Sequence, residues 1–122
     1  MTAKLVNFPA PHRVRPMGPS DPDLADRAKH GDREAFAELV RRHQATIRGM
    51  LRRLTASVPD GDDLSQATFL RAWVSLQTYS GGTFRAWLCA IAYREFLQAK
   101  RKTASRLKLE DGADILAEGP SE

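Results

Sequence analysis

Residues 62–76 read DDLSQATFLRAWVSL and carry a helical pattern with more apolar surface than a single core requires. Asp62 and Asp63 stand at its head, where the dipole of a helix favours negative charge. At about 100° per residue, the apolar side chains fall on two stripes. One stripe consists of Leu64, Ala67, Leu70 and Val74, and the other consists of Phe69, Ala72, Trp73 and Leu76. A helix that lies on one core needs only one stripe. The second stripe therefore contacts either the other helices of the domain or a partner.

Two further helices are predicted before this stretch. In residues 21–32, DPDLADRAKHGD, Asp21 is predicted to cap a short helix with Pro22 at its first position, and Gly31 to end it. Asp32 is then predicted to cap a longer helix over residues 33–57. Its apolar residues recur at the three- and four-residue steps of an amphipathic helix. They are Phe36, Leu39, Val40, Ile47, Leu51 and Leu54.

A turn and a loop are predicted on either side of the central stretch. Pro59, Asp60 and Gly61 predict a turn before it, and the carboxylates of Asp60, Asp62 and Asp63 are interpreted as helix caps. After it, residues 77–82, QTYSGG, end the helix at a flexible glycine pair.

The last helix is predicted over residues 84–102, with Thr83 as its cap. Large apolar residues form its core-facing stripe: Phe84, Trp87, Leu88 and Ile91. No segment alternates apolar and polar residues as a half-buried strand would. The sequence therefore predicts an all-α fold, a compact domain of three to four helices over residues 21–102.

The two ends of the chain differ from this domain in composition. Residues 1–20 contain Pro9, Pro11, Pro16 and Pro19 and are predicted to form a flexible leader. Residues 94–108 are basic, whereas every charged residue from Glu110 onward is acidic. Residues 103–122 are therefore predicted to be a linker or a disordered acidic tail. The basic cluster fits either favourable charge at a helix C-terminus or contact with DNA.

Composition limits the class of protein and its location. At 122 residues the chain fits one domain, and its net charge of +4 permits a nucleic-acid partner without requiring one. The single cysteine, Cys89, excludes an internal disulfide, so a reducing compartment is the simplest location. No apolar run reaches the roughly 18 residues of a membrane span, and no secretory signal is visible. The sequence predicts a cytoplasmic protein with no membrane insertion.

The usual patterns of catalytic and metal-binding residues are missing from the sequence. His12, His30 and His43 have no metal-ligand spacing with one another or with Cys89. The glycine pair at residues 81–82 follows a helix rather than a strand, so it does not match a phosphate-binding loop. We therefore expect no catalytic residue, no metal, no cofactor and no enzymatic activity.

The order of motifs carries a family resemblance. Residues 62–92, DDLSQATFLRAWVSLQTYSGGTFRAWLCAIA, resemble region 2 of bacterial RNA polymerase sigma factors of the extracytoplasmic-function (ECF) group. The matching features are an acidic-Leu-x-Gln-x-x-Phe-x-x-x-Trp helix, an aromatic residue before a short loop, and Phe-Arg-x-Trp-Leu-x-x-Ile-Ala. Residues 31–54 are similar to the helix that opens this domain, and the likeness covers about residues 23–102.

The resemblance implies a partner for the second stripe of the central helix. In the family, one side of this helix packs in the domain and another binds the clamp helices of the polymerase β′ subunit. The residues carried over to that face are Asp63, Gln66, Leu70 and Trp73. Asp63 and Gln66 gain nothing from burial, which favours the interface for them, whereas Phe69 is interpreted as a packing residue of the domain.

The resemblance also implies contact with promoter DNA. In the family, the loop after the central helix captures a base flipped from the non-template strand at the minus-ten element. That role falls on Thr78, Tyr79 and Ser80, with Tyr79 either stacking on the base or anchoring the loop to the core. On the last helix, the implied DNA-binding residues lie off the core stripe: Arg85, Tyr93, Arg94, Lys100 and Arg101.

Two features leave other interpretations open. Family members often carry Asn in place of Arg94 and Asp in place of Gln98, and the helix-turn-helix region 4 is expected after the linker but is absent from this chain. An anti-sigma protein is a further expected partner. The main expectation is a sigma factor domain that binds core polymerase and melts the minus-ten element. The alternatives are a sigma-like decoy that binds an anti-sigma protein without opening DNA and a generic helical adaptor.

Overall fold

The computed structural model describes residues 18–118 of the chain, with side chains described for residues 18–110. Within residues 18–118 four helices follow one another: α1 (Asp21–Lys29), α2 (Arg33–Thr55), α3 (Val58–Val74) and α4 (Phe84–Glu118). A short 3₁₀ turn, Leu76–Thr78, follows α3, and residues 18–118 contain no strand. The prediction of an all-α domain of three to four helices is confirmed. Most of the predicted leader, with His12, and residues 119–122 of the predicted tail lie outside the described residues.

The predicted cap of α2 is confirmed, and the predicted cap of α1 is wrong. The hydroxyl of Ser20 accepts a hydrogen bond from the Asp23 backbone N–H at 3.2 Å, so Ser20 rather than Asp21 caps α1, and Pro22 is its second residue. This leaves the Asp21 carboxylate free to bond to α2. Asp32 caps α2 as predicted, since its carboxylate accepts from the Ala35 backbone N–H at 3.1 Å.

The predicted turn before α3 is wrong. Ser57 caps the helix by accepting from the Asp60 backbone N–H at 3.2 Å, and Pro59, Asp60 and Gly61 belong to the first turns of α3. Proline is tolerated there because the first N–H groups of a helix have no intrahelical acceptor. Asp62 is not a cap either.

The Asp62 carboxylate instead receives two hydrogen bonds from the Arg52 guanidinium, at 2.8 and 3.0 Å. These bonds lower the pKa of Asp62, and the charges of Arg52 and Arg48 lower it further, against a smaller opposing effect of desolvation. The pair links the start of α3 to the end of α2.

The buried face of α3 consists of small residues rather than of either apolar stripe. Its members are Gly61, Ser65, Thr68 and Ala72. At Gly61 the two helices approach so closely that an added Cβ would lie 2.7 Å from the Arg52 Cα and backbone N. The large residues lie beside this face, where Leu64, Phe69 and Trp73 are partly buried against the core. Leu70 and Val74 point away from it and are 69% and 71% exposed.

The core lies between α1, α2, α3 and the first half of α4, and α1 contributes Leu24, Ala25 and Ala28 to it. Leu39, Ile47 and Leu51 of α2 are fully buried, while Leu54 is 38% exposed. On α4, Phe84, Leu88 and Ile91 are buried as predicted, and Trp87 and Cys89 are partly buried against them.

Helix α4 continues beyond the predicted end at residue 102 and reaches Glu118. The segment predicted as a linker or disordered tail is therefore helical over residues 103–118. Residues 99–110 contain neither proline nor glycine, so the backbone chemistry of this segment does not end the helix. Residues 100–110 are exposed. None of the helices within residues 18–118 combines the length and the apolar character that a bilayer crossing demands.

Candidate functional site

The structure places the four residues predicted to bind polymerase on the outward side of α3. Asp63, Gln66 and Leu70 are exposed, and Trp73 is partly buried with its ring edge against Phe36, at a centroid distance of 5.0 Å. At about 100° per residue, the four positions fall within an arc of about 80°. They therefore form one surface, which we call the α3 outward face, together with Val74.

Two grooves border this face. A groove of about 590 Å³ lies between α2 and α3, and Gln66, Leu70 and Trp73 line it together with Phe36 and Val40. Asp63 lies on the other border, where it lines a groove of about 790 Å³ between the first turns of α3 and the distal part of α4. The α3 outward face is thus a ridge between two concave surfaces, with Leu70 and Val74 as its exposed apolar residues.

The loop after α3 is held by Tyr79, whose side chain is buried. The Tyr79 hydroxyl donates to the Gly82 carbonyl at 2.6 Å, and its ring packs against Phe84 and Trp87 at centroid distances of 5.2 and 5.5 Å. The Lys29 ammonium donates to the Tyr79 carbonyl. Burial, and secondarily the charge of Asp21, raises the pKa of Tyr79. Tyr79 is only 3% exposed, so its ring does not offer a stacking face to a base, and the anchoring interpretation is the one the structure supports.

The remaining loop residues predicted to contact DNA stay accessible. Thr78 and Ser80 are exposed, and the Thr78 hydroxyl donates to the Ser75 carbonyl at 2.7 Å. Gly81 and Gly82 have φ values of 114° and 78°, a conformation that side chains other than glycine rarely adopt. The loop therefore presents backbone and hydroxyl groups rather than an aromatic ring.

The five predicted DNA-binding residues of α4 are all exposed but do not share one surface. Arg85 and Arg94 are nine positions apart and point about 180° apart around the helix, so one flat DNA surface does not reach both. Tyr93, Arg94, Lys100 and Arg101 lie within about 120° of one another. Lys100 places its ammonium 5.8 Å from the centre of the Phe96 ring.

A residue that the sequence interpretation missed, Arg71, lies beside Arg94. Both line a polar pocket of about 220 Å³ between the end of α3 and α4, together with Ser75, Ile91, Glu95 and Gln98. The Arg71 Nε lies 3.5 Å from a Glu95 carboxylate oxygen. The contact joins residues 24 positions apart on different helices, so no local pattern in the sequence announces it. The two positions that depart from the family pattern, Arg94 and Gln98, lie one turn apart in this pocket.

The histidines within the described residues have structural partners. The buried His43 ring lies 2.7 Å from an Asp21 carboxylate oxygen, and Arg42 donates to the other oxygen at 3.0 Å. His30 Nδ1 lies 2.8 Å from the Asp26 carbonyl. Within the part of the chain that the structure describes, no three metal-ligating side chains come together.

Comparison with known proteins agrees with this architecture. The family model for sigma-70 region 2 matches residues 39–106, from the second turn of α2 into the exposed part of α4. The ECF RNA polymerase sigma factor SigE of Mycolicibacterium smegmatis is 37% identical over 83 residues, which cover 66% of this chain and 32% of the relative. The RNA polymerase sigma factor NccH of Alcaligenes xylosoxydans is 35% identical over 96 residues, or 78% of this chain and 52% of the relative.

The ECF RNA polymerase sigma-E factor of Haemophilus influenzae is 34% identical over 100 residues, which cover 81% of this chain and 51% of the relative. The chain thus spans between a third and about half of the length of these relatives. No solved structure matches the chain significantly. The match over more than half of its residues shows that the chain belongs to the sigma-70 region 2 family, as a region 2 domain of the ECF sigma factor type.

Proposed function

We propose that this domain binds core RNA polymerase and the non-template strand of the promoter minus-ten element during transcription initiation. The observation that carries the proposal is the α3 outward face, on which Leu70 and Val74 are 69% and 71% exposed. Large apolar side chains that lie together on a surface are characteristic of a protein interface. Membership of the sigma-70 region 2 family supports core polymerase as the partner.

The shape of the α3 outward face suits a helical partner. Leu70 stands on a ridge, and Gln66 and Trp73 line the adjoining groove, so an incoming helix can pack against the ridge with its side chains in the groove. Asp63 and Gln66 supply a charge and an amide at the rim, where polar contacts set orientation more than affinity. We therefore propose that these residues contact the clamp helices of the β′ subunit.

The DNA-binding part of the proposal rests on the loop and α4. An extruded base can reach Thr78, Ser80 and the backbone of the glycine pair, which are exposed. Tyr79 holds the loop against the core through its hydrogen bond to the Gly82 carbonyl. The exposure of Tyr93, Arg94, Lys100 and Arg101 on α4 supports their proposed contacts with phosphates or bases of the same strand. In this scheme the domain performs no chemistry of its own, because polymerase makes the RNA.

Polymerase binding can be tested with purified core enzyme. Replacing both Asp63 and Gln66 by Ala is expected to leave the melting temperature almost unchanged, since both side chains are exposed. Binding to core enzyme is expected to weaken by about 1–2 kcal/mol, the range of contributing interface residues. Full retention of affinity by the double variant would remove these two residues from the interface.

DNA binding separates the sigma interpretation from the decoy. The chain is expected to bind a single-stranded non-template minus-ten oligonucleotide at low salt, above a scrambled control, and to lose this binding when residues 78–82 are replaced. Transcription gives the decisive result. If core polymerase with the full-length factor opens no promoter, while the domain still binds an anti-sigma protein, the decoy is correct.

A further inference from the structure

The pocket between α3 and α4 brings together two arginines that the sequence keeps far apart. Arg71 is in the last turn of α3, and Arg94 is in the middle of the packed half of α4. Ser75 and Gln98 add a hydroxyl and an amide to the rim, and the buried Ile91 forms an apolar wall. The site therefore combines two guanidinium groups and two neutral hydrogen-bonding groups around about 220 Å³.

The Arg71 guanidinium keeps most of its hydrogen-bonding capacity. Its contact with Glu95 is 3.5 Å long, beyond the length of a strong charge-assisted hydrogen bond, and its side chain is 56% exposed. Arginine has five N–H donors, and among the described residues Glu95 is its one ionic partner. Glu95 thus positions the Arg71 side chain, while the other N–H groups of its guanidinium remain available to a ligand.

The charge of the pocket favours an anionic ligand. The carboxylate of Glu95 and the C-terminal end of α3 at Ser75 both disfavour an anion, so one arginine alone would leave the site close to neutral. With both Arg71 and Arg94 the formal side-chain charge of the pocket is +1, which exceeds the partial negative charge of about 0.5 at the end of α3. A group with several acceptor oxygens, small enough for the pocket, matches two guanidinium forks best.

We propose that Arg71 and Arg94 together hold one backbone phosphate of the bound single strand between α3 and α4. The inference rests on the proposed function, because it assumes that the strand lies along α4. Arg71 and Arg94 contact the phosphate, and Glu95 acts as a positioning residue that fixes the Arg71 side chain. This pocket thereby sets the path of the strand past the end of α3, independently of base sequence.

The test uses single-stranded DNA enriched from a random-sequence pool by the wild-type chain. A series of this strand is made with one phosphate at a time replaced by an uncharged methylphosphonate. For the wild-type chain, we expect one position to lower affinity by about tenfold, as for the loss of a charge-assisted contact. In Arg71→Gln, affinity for the unmodified strand falls several-fold, and replacement at that one position costs clearly less than in the wild-type chain, because only the Arg94 contact remains to be lost.

Two matched variants control for charge and for position. Arg53→Gln removes the same charge from the exposed end of α2, at the opposite end of the α2–α3 hairpin, and is expected to keep the full sensitivity at that phosphate. Glu95→Gln is expected to weaken the selectivity for that one phosphate over its neighbours, without abolishing binding. Arg71→Gln should also reduce the salt dependence of binding by up to about 0.7 unit, the slope of one phosphate contact on a single strand.

The outcomes separate the two proposals. If Arg71→Gln responds to methylphosphonates as wild type does, while replacement of residues 78–82 abolishes binding, this phosphate site is wrong and the proposed function stands. If no strand is enriched at all, DNA binding by this domain fails, and the phosphate site fails with it. A loss of affinity in Arg53→Gln as large as that in Arg71→Gln would show only a general effect of charge and would overturn the site.

Discussion

The inward face of α3 carries small side chains, and its outward face carries large apolar ones. Gly61, Ser65, Thr68 and Ala72 are buried, whereas Leu70 and Val74 are mostly exposed. The contrast is the reverse of what apolar size alone would suggest. Side-chain volume sets how closely two helices approach, and the small face lets α3 lie against the backbone of α2 at Gly61.

The contrast shows that one face of α3 packs within the domain, while the opposite face is left exposed. The small residues allow close packing, and Phe69 and Trp73 fill the space beside them. Leu70 and Val74 are 69% and 71% exposed, so they bury little apolar surface within the described residues. Their position is explained if they are contacts for a partner.

Close packing at Gly61 predicts the largest effect on stability. In Gly61→Ala the new Cβ would meet the Arg52 backbone at 2.7 Å, so one helix must move away from the other. We expect the free energy of unfolding to fall by about 3 kcal/mol, the upper end of the usual overpacking cost. Chemical denaturation followed by circular dichroism measures this value.

Gly49 provides the matched control within the same pair of helices. In Gly49→Ala the new Cβ would meet only the end of the Arg53 side chain, at 3.7 Å. Since alanine has the higher helix propensity, Gly49→Ala is expected to stabilise the domain by up to about 1 kcal/mol. Equal effects of the two substitutions would show that the α2–α3 approach at Gly61 is not tight.

The anchor of the loop after α3 predicts a smaller effect. Tyr79→Phe keeps the packing against Phe84 and Trp87 but removes the hydrogen bond to the Gly82 carbonyl. We expect a loss of about 1 kcal/mol in the free energy of unfolding, the usual contribution of one such bond. Tyr93→Phe, at an exposed tyrosine, is expected to change stability far less. A Tyr79→Phe variant as stable as wild type would argue against the anchoring role.

The ion pair between Arg52 and Asp62, at the start of α3, predicts the smallest effect on stability. This effect depends on pH. Hydrogen bonds from Arg52 hold the pKa of Asp62 below its ordinary value of 3.8. Its contribution to stability is therefore fully present above about pH 3.8 and is lost as the pH falls through the lowered pKa of the folded state. Asp62→Asn should show a smaller drop in melting temperature between neutral and acidic pH than wild type does.

Asp23→Asn serves as the control for the pH experiment, since Asp23 is exposed on α1 and has no ion pair within the described residues. It is expected to show the same pH dependence as wild type. If Asp62→Asn also follows the wild-type curve, the Arg52–Asp62 pair contributes nothing measurable to stability.

Local patterns in the sequence were sufficient for much of the fold. Helical periodicity predicted α2 and the core stripe of α4, and Asp32 was recognised as a cap because its chemistry acts within three residues. The errors lie where a local signal has two meanings. Pro59 and Gly61 are typical of turns, but Pro59 also fits the first turn of a helix, and the close neighbour of Gly61 is on another helix.

The candidate site was predictable only in part for the same reason. The exposure of Asp63, Gln66 and Leu70 follows from helical spacing once the buried face of α3 is known. The burial of Tyr79 depends on Phe84 and Trp87, and the pairing of Arg71 with Glu95 depends on how α3 crosses α4. Such contacts between helices leave no periodic trace in either segment.

The most direct test compares two leucines that are equally exposed. Leu70 on the α3 outward face and Leu109 on the distal part of α4 are both 69% exposed, so each replacement by Ala should change stability by less than about 0.5 kcal/mol. Affinity for core RNA polymerase is then measured for both variants. We predict that Leu70→Ala weakens binding at least about tenfold, or about 1.4 kcal/mol, while Leu109→Ala binds as wild type does. Unchanged binding by Leu70→Ala, or an equal loss in both variants, would contradict the assignment of the α3 outward face to the partner.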